Sequence, residues 1–322
     1  MLEKYSIRTD LALEEKERFE SDQVEVTGVS LDEEYDEEQE VKVTTVKIMT
    51  EKGAKTMGKP VGTYITIEAP NMAVPDEEYH REISLVLARY LKTLIPVKKR
   101  EYSVLVAGLG NRQVTPDALG PFVADNLNIT RHIIKEYGKY AMGEDEVRSI
   151  SAVVPGVMGN TGMETVEILK GIVNETRPDF VIAIDALAAR NSKRLNRTIQ
   201  LADTGIHPGS GVGNHRCGLT KESLGVPVLA IGVPTVVDAA TIAGDTMENL
   251  LTALESSETL RGVGVVLQGY NAAEKYQLVR ELISPHLNGM YMTPKDVDDT
   301  IKRLSYTISE GLNLLFAGKE IA

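Results

Sequence analysis

Hydrophobic and polar positions change their period along the chain. Between residues 41 and 68 they alternate: Val41, Val43 and Thr45, then Val61, Thr63, Ile65 and Ile67, each against polar neighbours. A period of two predicts antiparallel strands with one solvated face. The link at 51–60 is rich in turn formers and reads as a connection. Next, Ile83, Leu87, Tyr90, Leu91 and Leu94 share one face of a helix, which Pro96 ends. From there short apolar runs at 102–107, 149–154, 180–184, 227–231 and 262–267 alternate with helical stretches near 116–127, 162–175, 239–254 and 272–283. A last amphipathic helix is expected near 294–316. Runs almost free of charge suit strands covered on both faces, and their alternation with helices predicts a doubly wound, mostly parallel α/β sheet. The organisation expected is an N-terminal β-rich extension over 11–82 and an α/β core over 83–322.

In open α/β sheets ligands bind beyond the carboxyl ends of the strands, where the strand order reverses. The loops to search are therefore 108–117, 155–162, 185–197, 203–218 and 232–238. Four carry clusters of Gly, Pro, Asn or Asp. The loop at 185–197 is instead basic, with Arg190, Lys193, Arg194 and Arg197.

The first core strand runs into Gly108-Leu109-Gly110, but Gln113 stands where a dinucleotide fingerprint needs glycine. Thr115-Pro116-Asp117 reads as a helix start, with Thr115 as cap and Asp117 compensating the dipole. Asp185 directly follows four apolar residues and is expected at the mouth of the sheet, where it also suits a cap. If their strands are near each other, Asp117 and Asp185 face one crevice. Two close carboxylates share a proton, so one activates water while the other protonates a leaving amine. Asp203-Thr204-Gly205 copies the aspartic-protease tripeptide, but a single copy in an α/β pattern reads as a turn. Near His207, Pro208 replaces the first glycine of a Gly-x-Ser-x-Gly elbow around Ser210. Neither HExxH nor CxxC occurs; His207 or His215 joining the two aspartates around a metal is the remaining metal option.

Composition narrows the class. The 322 residues are 42% hydrophobic and 25% charged, ordinary for a globular protein. One cysteine, no apolar leader and no long apolar run predict a cytoplasmic chain without a membrane segment. The net charge of −12 argues against direct nucleic-acid binding. Much of the excess lies in the run 32–40, expected as a solvated loop, with a docking surface for a basic partner as the other reading.

Several long strings resemble the germination protease family of spores. They are Val106–Asn111 with Thr115–Pro121, Ala183–Ala188, Asp203–Asn214, Gly232–Asp238 and, near the start, Tyr5–Ala12. The resemblance runs nearly end to end. It implies an atypical aspartic endopeptidase that degrades small acid-soluble spore proteins in the spore core during germination, with catalytic aspartates at Asp117 and Asp185. It also implies a core similar to the hydrogenase maturation endopeptidases, and a zymogen that assembles as a homotetramer and trims its own N-terminus. Cleavage falls between an acidic and an apolar residue, and Thr9-Asp10-Leu11-Ala12 fits, making 1–10 a propeptide cut between Asp10 and Leu11. Reading an acidic side chain needs a cation, for which Arg190 and Arg194 are expected, with His207 and Ser210 as further substrate contacts. No third metal ligand is evident, so no metal or other cofactor is expected. The rival readings are a metal-dependent endopeptidase of the hydrogenase-maturation type and a non-enzymatic binding protein for basic spore proteins.

Overall fold

The computed structural model describes residue 13 and residues 27–138, 148–189, 191–209, 216–239, 241–246 and 289–317. The strand expected at 262–267, the helix at 272–283 and the second half of the helix near 239–254 lie outside the described residues, as do Asp10 and Leu11.

The described strands are β1 Val29–Asp36, β2 Val41–Ile48, β3 Gly62–Glu68, β4 Ser103–Gly108, β5 Ser149–Val153, β6 Phe180–Ala189, β7 Thr198–Ala202, β8 Val228–Asp238 and β9 Tyr291–Met292. They form one sheet in the order β1-β2-β3-β7-β8-β6-β4-β5, with β9 paired to the end of β8. Strands β8, β6, β4 and β5 are parallel. Strand β7 joins β8 antiparallel, and β3, β2 and β1 continue antiparallel from it. The N-terminal extension is thus welded to the core through β3 and β7 in a single continuous sheet.

The described helices are α1 Glu51–Met57, α2 Glu77–Leu94, α3 Leu119–Asp125, α4 Arg131–Tyr137, α5 Met158–Thr161, α6 Thr165–Thr176, α7 Lys221–Leu224 and α8 Val297–Ala317. Side chains alternate across a strand, so successive residues feed opposite cores. Val104, Val106, Ile182 and Ile184 pack under α2, α3 and α8, alongside Leu87, Leu91, Leu119, Ile301 and Leu304. Leu105, Ala107, Val181 and Ala183 pack on the other face with Leu169 and Val173 of α6 and Leu224 of α7. Helices on both faces make the sheet doubly wound, as the apolar runs predicted. No described helix is long and apolar enough to cross a membrane.

Three expectations are corrected. The acidic run is not a loop throughout: Asp32 to Asp36 belong to β1, in register with Val41 to Thr45 of β2. Backbone pairing fixes this strand whatever its side chains, and carboxylates in solvent on an outer strand discourage edge-to-edge association. The link at 51–60 contains α1, started by the Thr50 hydroxyl accepting from the Gly53 amide and stopped by Gly58 in the left-handed conformation. Finally, β6 continues to Ala189 rather than ending at Ile184, so much of the expected 185–197 loop is strand.

Candidate active site

Strand β4 has β5 on one side and β6 on the other, so the chain reverses its direction of progress at β4. A cleft of about 450 Å³ opens at that point, beyond the carboxyl ends of β4 and β5 and against the C-terminal parts of β6 and β8. Its lining includes Gly110 after β4, Val157 after β5, Asp185 and Leu187 of β6, and Thr235 of β8. Asp117, Thr165 and Arg216 add further polar groups. Apart from these polar groups the wall is largely apolar, with Leu109, Val114, Pro116, Ala186, Pro208 and Tyr291.

Asp117 ends a 3-10 turn, Thr115–Asp117, rather than opening an α-helix. Thr115 therefore makes no side-chain cap there; Val114 occupies the cap position and α3 starts at Leu119. The turn is held from two sides. The Asn111 amide donates to the Asp117 carbonyl at 3.0 Å and to its carboxylate at 2.9 Å. The Thr235 hydroxyl donates to the Pro116 carbonyl at 2.7 Å, and Thr293 in turn donates to the Thr235 carbonyl at 2.9 Å. Burial pushes the Asp117 carboxyl above the usual carboxylate range, while the Asn111 amide and the Arg216 cation pull it part of the way back.

Asp185 is buried, with 5% of its surface exposed. It sits opposite Gly232 of β8 and one residue beyond Ile184, which pairs with the last residue of β4. Because β4 stops there while β6 continues, the Asp185 carboxylate is carried past the neighbouring strand to the cleft floor. Its Oδ1 accepts from the Ala186 amide at 3.1 Å. The structure therefore brings Asp117, from the turn after β4, and Asp185, from the neighbouring parallel strand β6, into one cleft.

The other expected contacts divide differently. Arg190, Ser210 and His215 lie outside the described residues. Arg194 does not line the cleft: its Nε donates to Glu68 of β3 at 2.9 Å, and 8% of its side chain is exposed. It ties the segment after β6 to the antiparallel half of the sheet. Arg194→Leu should lower stability by about 2 kcal/mol, less than for a wholly buried pair because Glu68 keeps 24% of its side chain in solvent. Thermal unfolding beside a KM measurement checks this; a raised KM at unchanged stability would return Arg194 to the substrate. His207 is exposed and lines a smaller neighbouring pocket with Tyr64, Gln200 and Thr204, apart from Asp117 and Asp185. Asp203, in the bend directly after β7, accepts from the Thr63 amide of β3 at 2.8 Å. Among the described residues no three of His, Cys, Asp and Glu converge as metal ligands.

Sequence reasoning missed Thr235 and Arg216. Thr235 is 1% exposed, and its signal was its place in the segment 232–238, expected as a loop at a strand end but in fact the last part of β8. Arg216 is the only lysine or arginine among the described residues lining the cleft. Its signal was a single cation within an otherwise glycine-rich segment.

A family model described as germination protease matches residues 7–261. The germination protease of Caldanaerobacter subterraneus subsp. tengcongensis is 52% identical over 309 residues, covering 96% of this chain and 93% of the relative. That of Clostridium perfringens is 44% identical over 312 residues, covering 96% and 95%. That of Bacillus subtilis is 41% identical over 346 aligned positions, covering 96% and 93%. Among solved structures, the NiFe hydrogenase maturation protease HycI from Thermococcus kodakarensis aligns with a TM-score of 0.32 at 18% identity, over 69% of this chain and 98% of that one.

Proposed function

The chain belongs to the germination protease family, and on that premise we propose that it is an aspartic-type endopeptidase in which Asp117 and Asp185 activate one water molecule. The observation that carries this reading is their convergence on one cleft, with burial favouring the protonated form of Asp117. In the proposed step the ionised member of the pair removes a proton from water as its oxygen attacks the peptide carbonyl. The protonated member hydrogen-bonds that carbonyl, and a proton then passes to the departing nitrogen. The apolar wall excludes bulk water and accepts apolar side chains beside the scissile bond.

The substrates in this reading are small acid-soluble spore proteins, cut in the spore core at germination. The chain is made as a zymogen, assembles as a homotetramer, and removes residues 1–10 by cutting between Asp10 and Leu11. Incubation at mildly acidic pH should shorten the intact chain by the mass of Met1 to Asp10, with or without a chelator. The Asp117→Asn variant should stay at full length. Trimming that stops on chelation would transfer the reaction to a metal-dependent mechanism. An untrimmed parent chain that also leaves spore proteins intact would favour binding without proteolysis.

A further inference from the structure

The cleft holds one described cation among two carboxylates and an apolar wall, and no described carboxylate closes an ion pair with it. Arg216 is half-buried, lines the same cleft as Asp117 and Asp185, and acts electrostatically on Asp117. A guanidinium presents a rigid fork of donors matched to a carboxylate, and it is more weakly hydrated than an ammonium. Placed there without a salt-bridge partner among the described residues, it is suited to a ligand anion rather than to holding the fold. Arg194, buried against Glu68, shows the contrasting structural use of the same residue type.

We propose that Arg216 reads a carboxylate side chain beside the scissile bond, in the cleft it shares with Asp117 and Asp185. That contact neutralises Arg216 and so helps hold the catalytic proton on Asp117. The proposal rests on the dyad reading above. Its physical basis is that a cation near Asp117 stabilises the ionised form. When a substrate carboxylate pairs with that cation, the net positive field at Asp117 falls and the carboxyl keeps its proton to higher pH. A correct substrate thus completes the acid that cleaves it, whereas an uncharged analogue leaves Arg216 free to promote loss of that proton.

Among the described residues no other group around Asp117 is placed to read a substrate anion. Asp185 of β6 and Tyr291 of β9 are the remaining titratable side chains among the described residues lining the cleft. Helix α8 packs against the 115–117 turn, and every residue it buries is uncharged. On α3, Asp125 is paired with Arg112.

The test uses the full chain and two peptides copying residues 4–17, one with Asp10 and one with Asp10→Asn. The parent enzyme should favour the aspartate peptide by about 10–100-fold in kcat/KM. Arg216→Gln should reduce that preference to within about twofold, and Arg216→Lys should retain part of it. In the parent enzyme the alkaline limb of kcat should lie at higher pH than that of kcat/KM with the aspartate peptide. The two limbs should coincide with the asparagine peptide. A preference that survives in Arg216→Gln overturns the assignment, as does one pair of limbs common to both peptides. The limb comparison needs only the parent enzyme, so it stands even if a variant misfolds. Failure of the dyad reading is a separate outcome: Asp117→Asn would then still cleave the aspartate peptide.

Discussion

Asp117→Asn and Asp185→Asn should each slow peptide cleavage by roughly a thousandfold or more, and the double variant should lose little beyond either single one. The non-additivity follows from the chemistry. A shared proton needs both carboxyls, so removing one disables the proton transfers of the other. Asparagine preserves side-chain volume, and its carbonyl oxygen still accepts from the Asn111 amide that holds the 115–117 turn. Loss of rate in a folded variant therefore reports on the proton rather than on the loop. The Asp117 variant carries a second signature. Burial raises this carboxyl, so the folded state keeps its proton to higher pH than the unfolded chain, whose value is near 3.8. The contribution of Asp117 to stability is thus most favourable below the unfolded value and declines as pH rises through the folded one. Asparagine removes that decline. At neutral pH the variant should melt above the parent, and the gap should close on acidification toward the ordinary carboxylate value. Single-turnover cleavage rates and melting curves at pH 7 and pH 4 check both halves. Near-parental cleavage by either single variant would end the dyad assignment.

How far the sequence revealed this site depends on which kind of interaction places each residue. The core strands and the helices packed on them were legible because burial on both faces leaves continuous apolar runs, such as Phe180 to Ile184. Asp185 was visible as the first charge after such a run. Its position inside a strand was not, because Ala186 to Ala189 continue β6 only by pairing with Val233 to Val237 of β8, far along the chain. The register between Glu68 and Thr198 shows the same limit: β7 is too short for its pattern to stand out, and β3 selects it from a distance. Arg194 shows a related limit. Arg194 is near Asp185 in sequence, but Glu68 captures it, while Arg216 reaches the cleft from a later segment. The acidic run misled because edge pairing is made by backbone groups that side-chain charge does not disclose.

Gly110→Ala should lower kcat/KM by about a hundredfold while leaving a folded protein, and Gly120→Ala should prevent stable folding. Gly110 has φ +110°, a region that favours glycine, and a Cβ there would lie 2.0 Å from the Asp117 carbonyl oxygen. The turn would have to retreat from the Asn111 amide, taking the carboxyl with it. A shift near 1 Å in a reacting group is enough for a loss of that size. At Gly120, on α3, a Cβ would lie 2.4 Å from the Leu109 carbonyl oxygen and 2.5 Å from that of Ile184. Both obstacles are backbone of the central sheet, so no side chain can turn aside, and α3 would have to leave the strands it covers. The expected destabilisation is about 3 kcal/mol or more. Gly171, inside α6 with nothing within 4 Å of its would-be Cβ, is the control, and alanine there should stabilise by about 0.5–1 kcal/mol. Melting temperatures with cleavage rates distinguish the three. Full activity in Gly110→Ala would mean that the close packing of this loop on Asp117 does not set the geometry of the reaction.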